Sequence, residues 1–342
     1  MSLEQESDIS SKGSFLAGES SRITVIAPLG AMTVIHPLLE YYRQHHSVTV
    51  INYETILEKK AILQYCEETQ ANALLYIAPR CYAPRTLVDG PLLKLINDSI
   101  VVVGILPYTN DIELTAFTNA ACKAHQRNTS DTEHLAPKSV AILSQWSRRY
   151  LRLADSFEAS LQARQHNREN ILAYRWSSDH LVREDMIDGL GAGFSMAVYL
   201  GHGRPTGWVG YRGIRAQHFQ EAHDQWREPV GAIFSLCCEN ASRRKTGLSF
   251  SESLPLLGKC AASIGAVGKT QHIDNMRWAL NIGQAVARGA STVDQVIRTF
   301  PYEATSTLNL YRIIGDPLAP LSAHPMLDER AKLLMSDETK YG

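Results

Sequence analysis

The feature that most limits what this chain can fold into is an alternation. Short apolar runs rich in Val, Ile and Leu are each followed by a stretch of helical period. Arg22–Pro28, Ser47–Tyr53, Ala73–Ala78 and Ile100–Ile105 are predicted strands, and Met32–His46, Ile56–Thr69, Leu92–Asn97 and Asp111–His125 predicted helices. Strands interleaved with helices make a mostly parallel sheet covered on both faces. A second series repeats the pattern, with strands at Ser139–Leu143, Ile171–Tyr174, Phe194–Leu200, Val230–Leu236 and Ala261–Val267. Its helices are expected at Tyr150–Gln165, Glu184–Leu190, Trp278–Arg288 and Thr292–Arg298. Between the two series, residues 127–138 are polar, aperiodic and carry a proline, as a linker does. The expectation is an α/β protein with two tandem, mostly parallel sheets and helices on both faces. One unit would span 21–126 and the other 139–325, with flexible tails at 1–20 and 326–342.

With 342 residues, 44% of them hydrophobic and 20% charged, the chain has the composition of a globular protein. Its net charge of −1 gives no general attraction to nucleic acid or to an anionic membrane, so neither is expected as a partner. Residues 1–20 lack the apolar core of a secretory signal, and no stretch reaches the roughly 18 apolar residues of a membrane-spanning helix. Six cysteines without a C-x-x-C spacing argue against a disulfide framework or a zinc site. The expectation from these features is a cytoplasmic protein with no metal and no cofactor. The turn Pro28-Leu-Gly-Ala31 also lacks the G-x-G-x-x-G spacing of a dinucleotide site.

Two blocks carry chemistry. Phe194-Ser-Met-Ala-Val-Tyr-Leu-Gly-His-Gly203 is a strand-like run that ends at His202; Val230-Gly-Ala-Ile-Phe-Ser-Leu-Cys-Cys-Glu-Asn240 ends at Cys237 and Cys238. Ligands bind at the C-terminal ends of strands in open α/β sheets. Adjacent strands lie about 5 Å apart, so an imidazole and a thiol at neighbouring ends can act on one bond. Such a pair has the parts of a cysteine nucleophile and its general base. Successive strand side chains face opposite ways, so only one of the two cysteines can face His202. The pattern alone leaves either one open.

The residues resemble the gingipain-type cysteine peptidases, the C25 group within the caspase-like class. Tyr199-Leu-Gly-His-Gly-Arg followed by Trp208 is similar to the family's histidine block. Ile233-Phe-Ser-Leu-Cys-Cys-Glu-Asn240 resembles its cysteine block, an apolar strand, a small residue, the catalytic Cys and an Asn two positions on. Leu106-Pro107 and Gly315-Asp316-Pro317 match further family segments. The resemblance implies an endopeptidase acting on protein or peptide through a thioester acyl-enzyme. It makes His202 the base or acid and Cys238 the nucleophile, with the backbone N–H groups of Gly203 and Cys238 as oxyanion donors. The family's His-assisting acid falls at Gln145, which can orient an imidazole but carries no charge. The acid that binds a basic substrate side chain would fall near Arg152–Asp155. Asp155 would keep that preference and Arg152 would reverse it. Lys269–Asp274 resembles the loop walling the same pocket, with Gln271 and His272 as substrate-binding candidates.

The basic, glycine-containing loop Ala241–Ser249 is expected to be exposed beside the cleft. The absence of a secretory signal favours a regulated intracellular protease switched by an activating protein or ligand. The missing acid at Gln145 keeps a catalytically weak interaction module as the alternative.

Overall fold

Continuous apolar runs bury both strand faces, and the computed structural model has them so. All five residues of Met196–Leu200 and all seven of Val230–Leu236 are buried. The structure describes residues 21–321 apart from 56, 83–89, 96, 98, 129–137, 163–170, 179, 223–225 and 301–307. The expected tails, most of the expected linker and residues 322–325 lie outside the described residues.

The first series forms β1 (Arg22–Pro28), α1 (Met32–His45), β2 (Ser47–Tyr53), α2 (Lys59–Glu68), β3 (Ala73–Pro79), β4 (Leu92–Lys94), β5 (Ile100–Tyr108) and α3 (Asp111–Asn128). The second opens with β6 (Lys138–Ser144), α4 (Arg148–Gln162), β7 (Ile171–Ser177), α5 (Arg183–Leu190) and β8 (Met196–Leu200). A three-stranded side sheet follows, built from β9 (Gly203–Arg204), β10 (Gly207–Trp208) and β11 (Ile214–Arg215), with α6 (Gly210–Gly213) inserted and α7 (Ala216–Glu221) after it. β12 (Val230–Leu236), α8 (Phe250–Leu256), β13 (Cys260–Ala266), α9 (His272–Ala287), α10 (Val293–Arg298) and β14 (Tyr311–Gly315) complete the fold.

The α/β class and the mostly parallel pairing are as expected, but the two series share one sheet. Its order is β2-β1-β3-β5-β14-β13-β12-β8-β6-β7, with β4 paired to β5 off this path. β14 makes the junction, parallel to β5 and antiparallel to β13. Two separate sheets would each have left an open edge of unpaired backbone groups, at β5 and at β13. The five-residue β14 closes both. The main chains come very close there: a Cβ on Gly104 would lie 2.3 Å from the Gly315 carbonyl oxygen. Gly315 also has φ +103°, a conformation that favours glycine. The same pairing logic corrects the helix expected at Leu92–Asn97. Leu92–Lys94 pairs antiparallel with β5, because the neighbouring edge offers backbone partners to a segment too short for a stable helix.

One hydrophobic core runs under the whole sheet, joining Val25, Leu75 and Phe117 of the first series to Val198, Phe234 and Trp278 of the second. The other face carries two separate cores, one within the second series and one mainly of first-series residues that Ala241 and Ile314 join. Asp316, just past β14, ties the first series to the junction. Its fully buried carboxylate accepts from the Tyr42 hydroxyl at 2.6 Å and the Leu318 N–H at 2.7 Å, and meets His125 Nε2 at 2.6 Å.

Candidate active site

β8 and β12 are neighbouring parallel strands, and their last register pair is Leu200 with Leu236. His202 and Cys238 each stand two residues beyond that pair, so the chemistry-bearing residues leave the sheet at one level. The cysteine that the pattern left open is separated from its neighbour by burial. Cys237 is fully buried within the second-series core, and Cys238 is partly exposed. Burial, helped by the neighbouring Cys238, pushes the Cys237 thiol well above its usual range, so it holds no reactive thiolate near neutrality.

The Cys238 sulfur sits against Thr270, in the loop after β13. The Thr270 N–H donates to Sγ at 3.4 Å and its hydroxyl lies 3.6 Å away. The N–H can hold negative charge on sulfur, while the Thr270 carbonyl oxygen, 3.5 Å from Sγ, accepts from the thiol. The turn carrying Cys238 is tight: the Cys237 N–H donates to the Ser235 carbonyl, and Glu239 follows at φ +55°. Asn240, two residues past Cys238, is buried and bridges the loops. Its side chain donates to the Arg204 carbonyl at 3.4 Å and accepts from the Ser251 hydroxyl at 3.1 Å.

His202 is exposed, and its loop is fixed from beneath. The Tyr199 hydroxyl donates to the His202 carbonyl at 3.0 Å and accepts from the Gly210 N–H at 3.0 Å. Trp208 stacks on Tyr199 at 4.5 Å between ring centroids and donates to the Ser235 hydroxyl at 3.0 Å, so it braces the histidine loop against β12. Gly203 brings the two loops together, since a Cβ there would lie 2.5 Å from the Cys238 carbonyl oxygen.

Gln145 makes a different contact from the one the resemblance implied. Its Oε1 accepts from the His202 main-chain N–H at 2.8 Å, so it positions the loop and not the imidazole. The ring's partner is Tyr150 of α4, whose hydroxyl lies 3.4 Å from Nδ1 and whose ring meets the imidazole edge-on at 5.3 Å. Sequence reasoning missed Tyr150 and Thr270. A usable signal existed for both, because each lies just past a predicted strand, β6 or β13, where site loops are expected.

Asp155 is not part of the site. It pairs with Arg175 of β7, since its position on α4 turns it toward that edge strand. Arg152 faces instead a cavity of about 400 Å³ between α4 and the start of α9, lined also by Arg148, Arg149 and His272. His272 opens α9 and meets the Tyr150 ring at 6.2 Å, so Tyr150 stands between the two histidines. Desolvation, then the charge of Arg149, lowers the His272 pKa. Gln271 is exposed and caps α9 through a reciprocal contact with Asp274.

The loop expected to be exposed is largely anchored. Arg243 pairs with the buried Glu252 of α8 at 2.8 Å, and Ser242 and Ser249 are buried; Arg244, Lys245 and Gly247 face solvent. A larger cavity, about 800 Å³, lies along α3 near Trp226 and Lys259 and shares no residue with this site.

No curated protein sequence matches the chain. Among solved structures, the Arg-specific cysteine proteinase gingipain R superposes with a TM-score of 0.67 at 15% identity, over 89% of this chain and 79% of its own. The separase of a Saccharomyces cerevisiae separase–securin complex aligns at TM-score 0.46 and 11% identity, over 78% of this chain and 17% of its own. The gingipain superposition gives the chain the caspase-like α/β fold expected from the two blocks. Residues 99–322, which hold both the histidine and the cysteine loops, match the profile of peptidase family C25, and the chain belongs to that family.

Proposed function

We propose that this chain is a cysteine endopeptidase in which Cys238 is the nucleophile and His202 the general base and acid. One observation carries the reading. His202 and Cys238 leave adjacent parallel strands at matched register, while Cys237 is sealed in the core. His202 takes the thiol proton, and the sulfur attacks the scissile carbonyl of a bound peptide. The developing oxyanion lies against the N–H groups of Gly203 and Cys238, and each such donor is worth about 3 kcal/mol in well-studied hydrolases. His202 then returns the proton to the departing amine, leaving a thioester on Cys238, and water, deprotonated by the same imidazole, releases the acid. The Thr270 N–H supports the sulfur while it carries charge.

The test is a pair of substitutions. Cys238→Ala abolishes peptide cleavage, whereas Cys237→Ala keeps a substantial fraction of it. The reverse outcome would shift the nucleophile by one residue.

A second reading has its own support. With Gln145 on the main chain and a tyrosine on the ring, His202 meets no carboxylate among the described residues to stabilise its imidazolium. A weak basal activity follows, in a protein that works inside the cell and is raised by a protein or ligand activator. Moving a competent state from about 1% to 99% takes roughly 5.5 kcal/mol of differential binding. A chain that never turns over, with or without partners, would be an interaction module on a peptidase scaffold.

A further inference from the structure

The cavity of about 400 Å³ lies beside the reacting groups. It opens between two helix N-termini, α4 starting at Arg148 and α9 at His272, and both direct their positive ends toward it. Arg148, Arg149 and Arg152 line it, and no acidic residue does. Among the described residues none of these three arginines pairs with a carboxylate. Arg80, Arg175 and Arg243, by contrast, pair with Glu113, Asp155 and Glu252, while Arg204, Arg212 and Arg215 around a smaller cavity on the histidine loop likewise meet no carboxylate among the described residues. The His272 Nδ1 is buried and meets no hydrogen-bond partner among the described residues. The cavity also adjoins the reacting groups. Arg149 precedes Tyr150, which contacts His202, and His272 lies two residues past Thr270, which contacts the Cys238 sulfur.

We infer that this cavity receives an acidic side chain, aspartate or glutamate, from the substrate residue whose carbonyl is attacked by Cys238, with Arg149 and Arg152 holding its carboxylate. The inference rests on the peptidase reading for the attacked bond, while the charge preference of the cavity can be measured without turnover. Guanidinium groups suit this task, because their planar forks match a carboxylate and stay charged at every working pH. Leu153 and Met276 add an apolar lining for the methylene stem. A basic side chain would meet three like charges and two positive helix ends, so the preference of the Arg-specific gingipain R would be reversed here.

The experiment uses full-length Cys238→Ala protein and peptides that differ only at the one residue, Asp against Asn and Glu against Gln, with Arg as a third arm. Titration calorimetry reads binding. The acidic peptides bind about 10- to 100-fold tighter than their amides, the range expected for losing one charge-assisted hydrogen bond. The acid-over-amide ratio falls to near one in Arg149→Gln/Arg152→Gln. Equal affinity for acid and amide, tighter binding of the Arg peptide, or no binding of any peptide overturns the inference. So does an oligonucleotide that binds through the same arginines while acid and amide peptides bind alike. The active protein separates this from the parent reading: cleavage after neutral or basic residues without acidic preference leaves the peptidase standing and removes the acid pocket. Absence of all cleavage alongside acid-selective binding does the opposite.

Discussion

Replacing Gly203 by alanine tests how closely the two loops must approach. A methyl at this position would lie 2.4 Å from the Cys237 sulfur and 2.5 Å from the Cys238 carbonyl oxygen. Carbon and oxygen rest comfortably at about 3.3 Å or more, so the histidine and cysteine loops must separate by roughly 0.8 Å. The sulfur can be relieved by a rotamer change, but the carbonyl is main chain and cannot turn aside. A displacement near 1 Å between reacting groups costs about 100-fold in rate. Overpacking of this kind also costs about 1–3 kcal/mol of stability. Gly203→Ala is therefore expected to lower kcat about 100-fold on a peptide substrate, with a modest fall in Tm. Adding Cys237→Ala removes the sulfur clash alone and leaves the variant slow. Peptide turnover by stopped assay and thermal unfolding by circular dichroism measure both effects. A Gly203→Ala enzyme within about threefold of wild type would refute the close-approach argument.

Three further outcomes are expected. Tyr150→Phe removes the hydroxyl 3.4 Å from His202 Nδ1, a long bond worth about 0.5–1.5 kcal/mol, so kcat falls about 2- to 10-fold with KM nearly unchanged; a KM effect alone would move Tyr150 to substrate binding. Asp316→Ala strips the buried acceptor from Tyr42, His125 and Leu318, and should cost about 3–5 kcal/mol in denaturant unfolding, the range for breaking a buried pair; a loss under 1 kcal/mol would contradict its role at the junction. Burial lowers the Lys259 ammonium to about 8, so wild-type stability rises with pH between about 8 and 10.4, where the folded chain has released this proton and the unfolded chain has not. Lys259→Met should stabilise the protein at pH 7, by at most about 3 kcal/mol, and this advantage should shrink across that window; an advantage constant with pH would exclude the titration of Lys259 as its cause.

The parts of this protein legible in its sequence are those set by continuous burial. Met196–Leu200 and Val230–Leu236 are apolar throughout because both faces of a central parallel strand are covered, and the residues ending them mark the site. The parts that were not legible depend on distant partners. Tyr311–Gly315 carries Arg312 among its few residues and reads weakly alone, yet it joins the two series because β5 and β13 both need a neighbour. Likewise Leu92–Lys94 takes its conformation from the β5 edge and not from its own preference. At the site, types and spacing singled out His202 and Cys238. The contacts that hold them, Tyr150 to the ring, Gln145 to the main chain and Thr270 to the sulfur, come from the start of α4 and the loop before it, 50 or so residues before the histidine, and from a loop about 30 residues after the cysteine. The Arg148-Arg149 pair takes its meaning from α9, which packs opposite it and makes it one wall of a cavity.

The most direct test of the central claim is covalent capture. A peptide carrying a chloromethyl ketone in place of the scissile bond, incubated with the intact chain and any activator and then mapped by mass spectrometry, reports which thiol attacks. The account predicts one adduct, on Cys238, formed much more slowly in His202→Ala and not formed on the exposed Cys81 at comparable rate. An adduct on Cys237, or equal labelling of Cys81 and Cys238 that ignores His202, would contradict it.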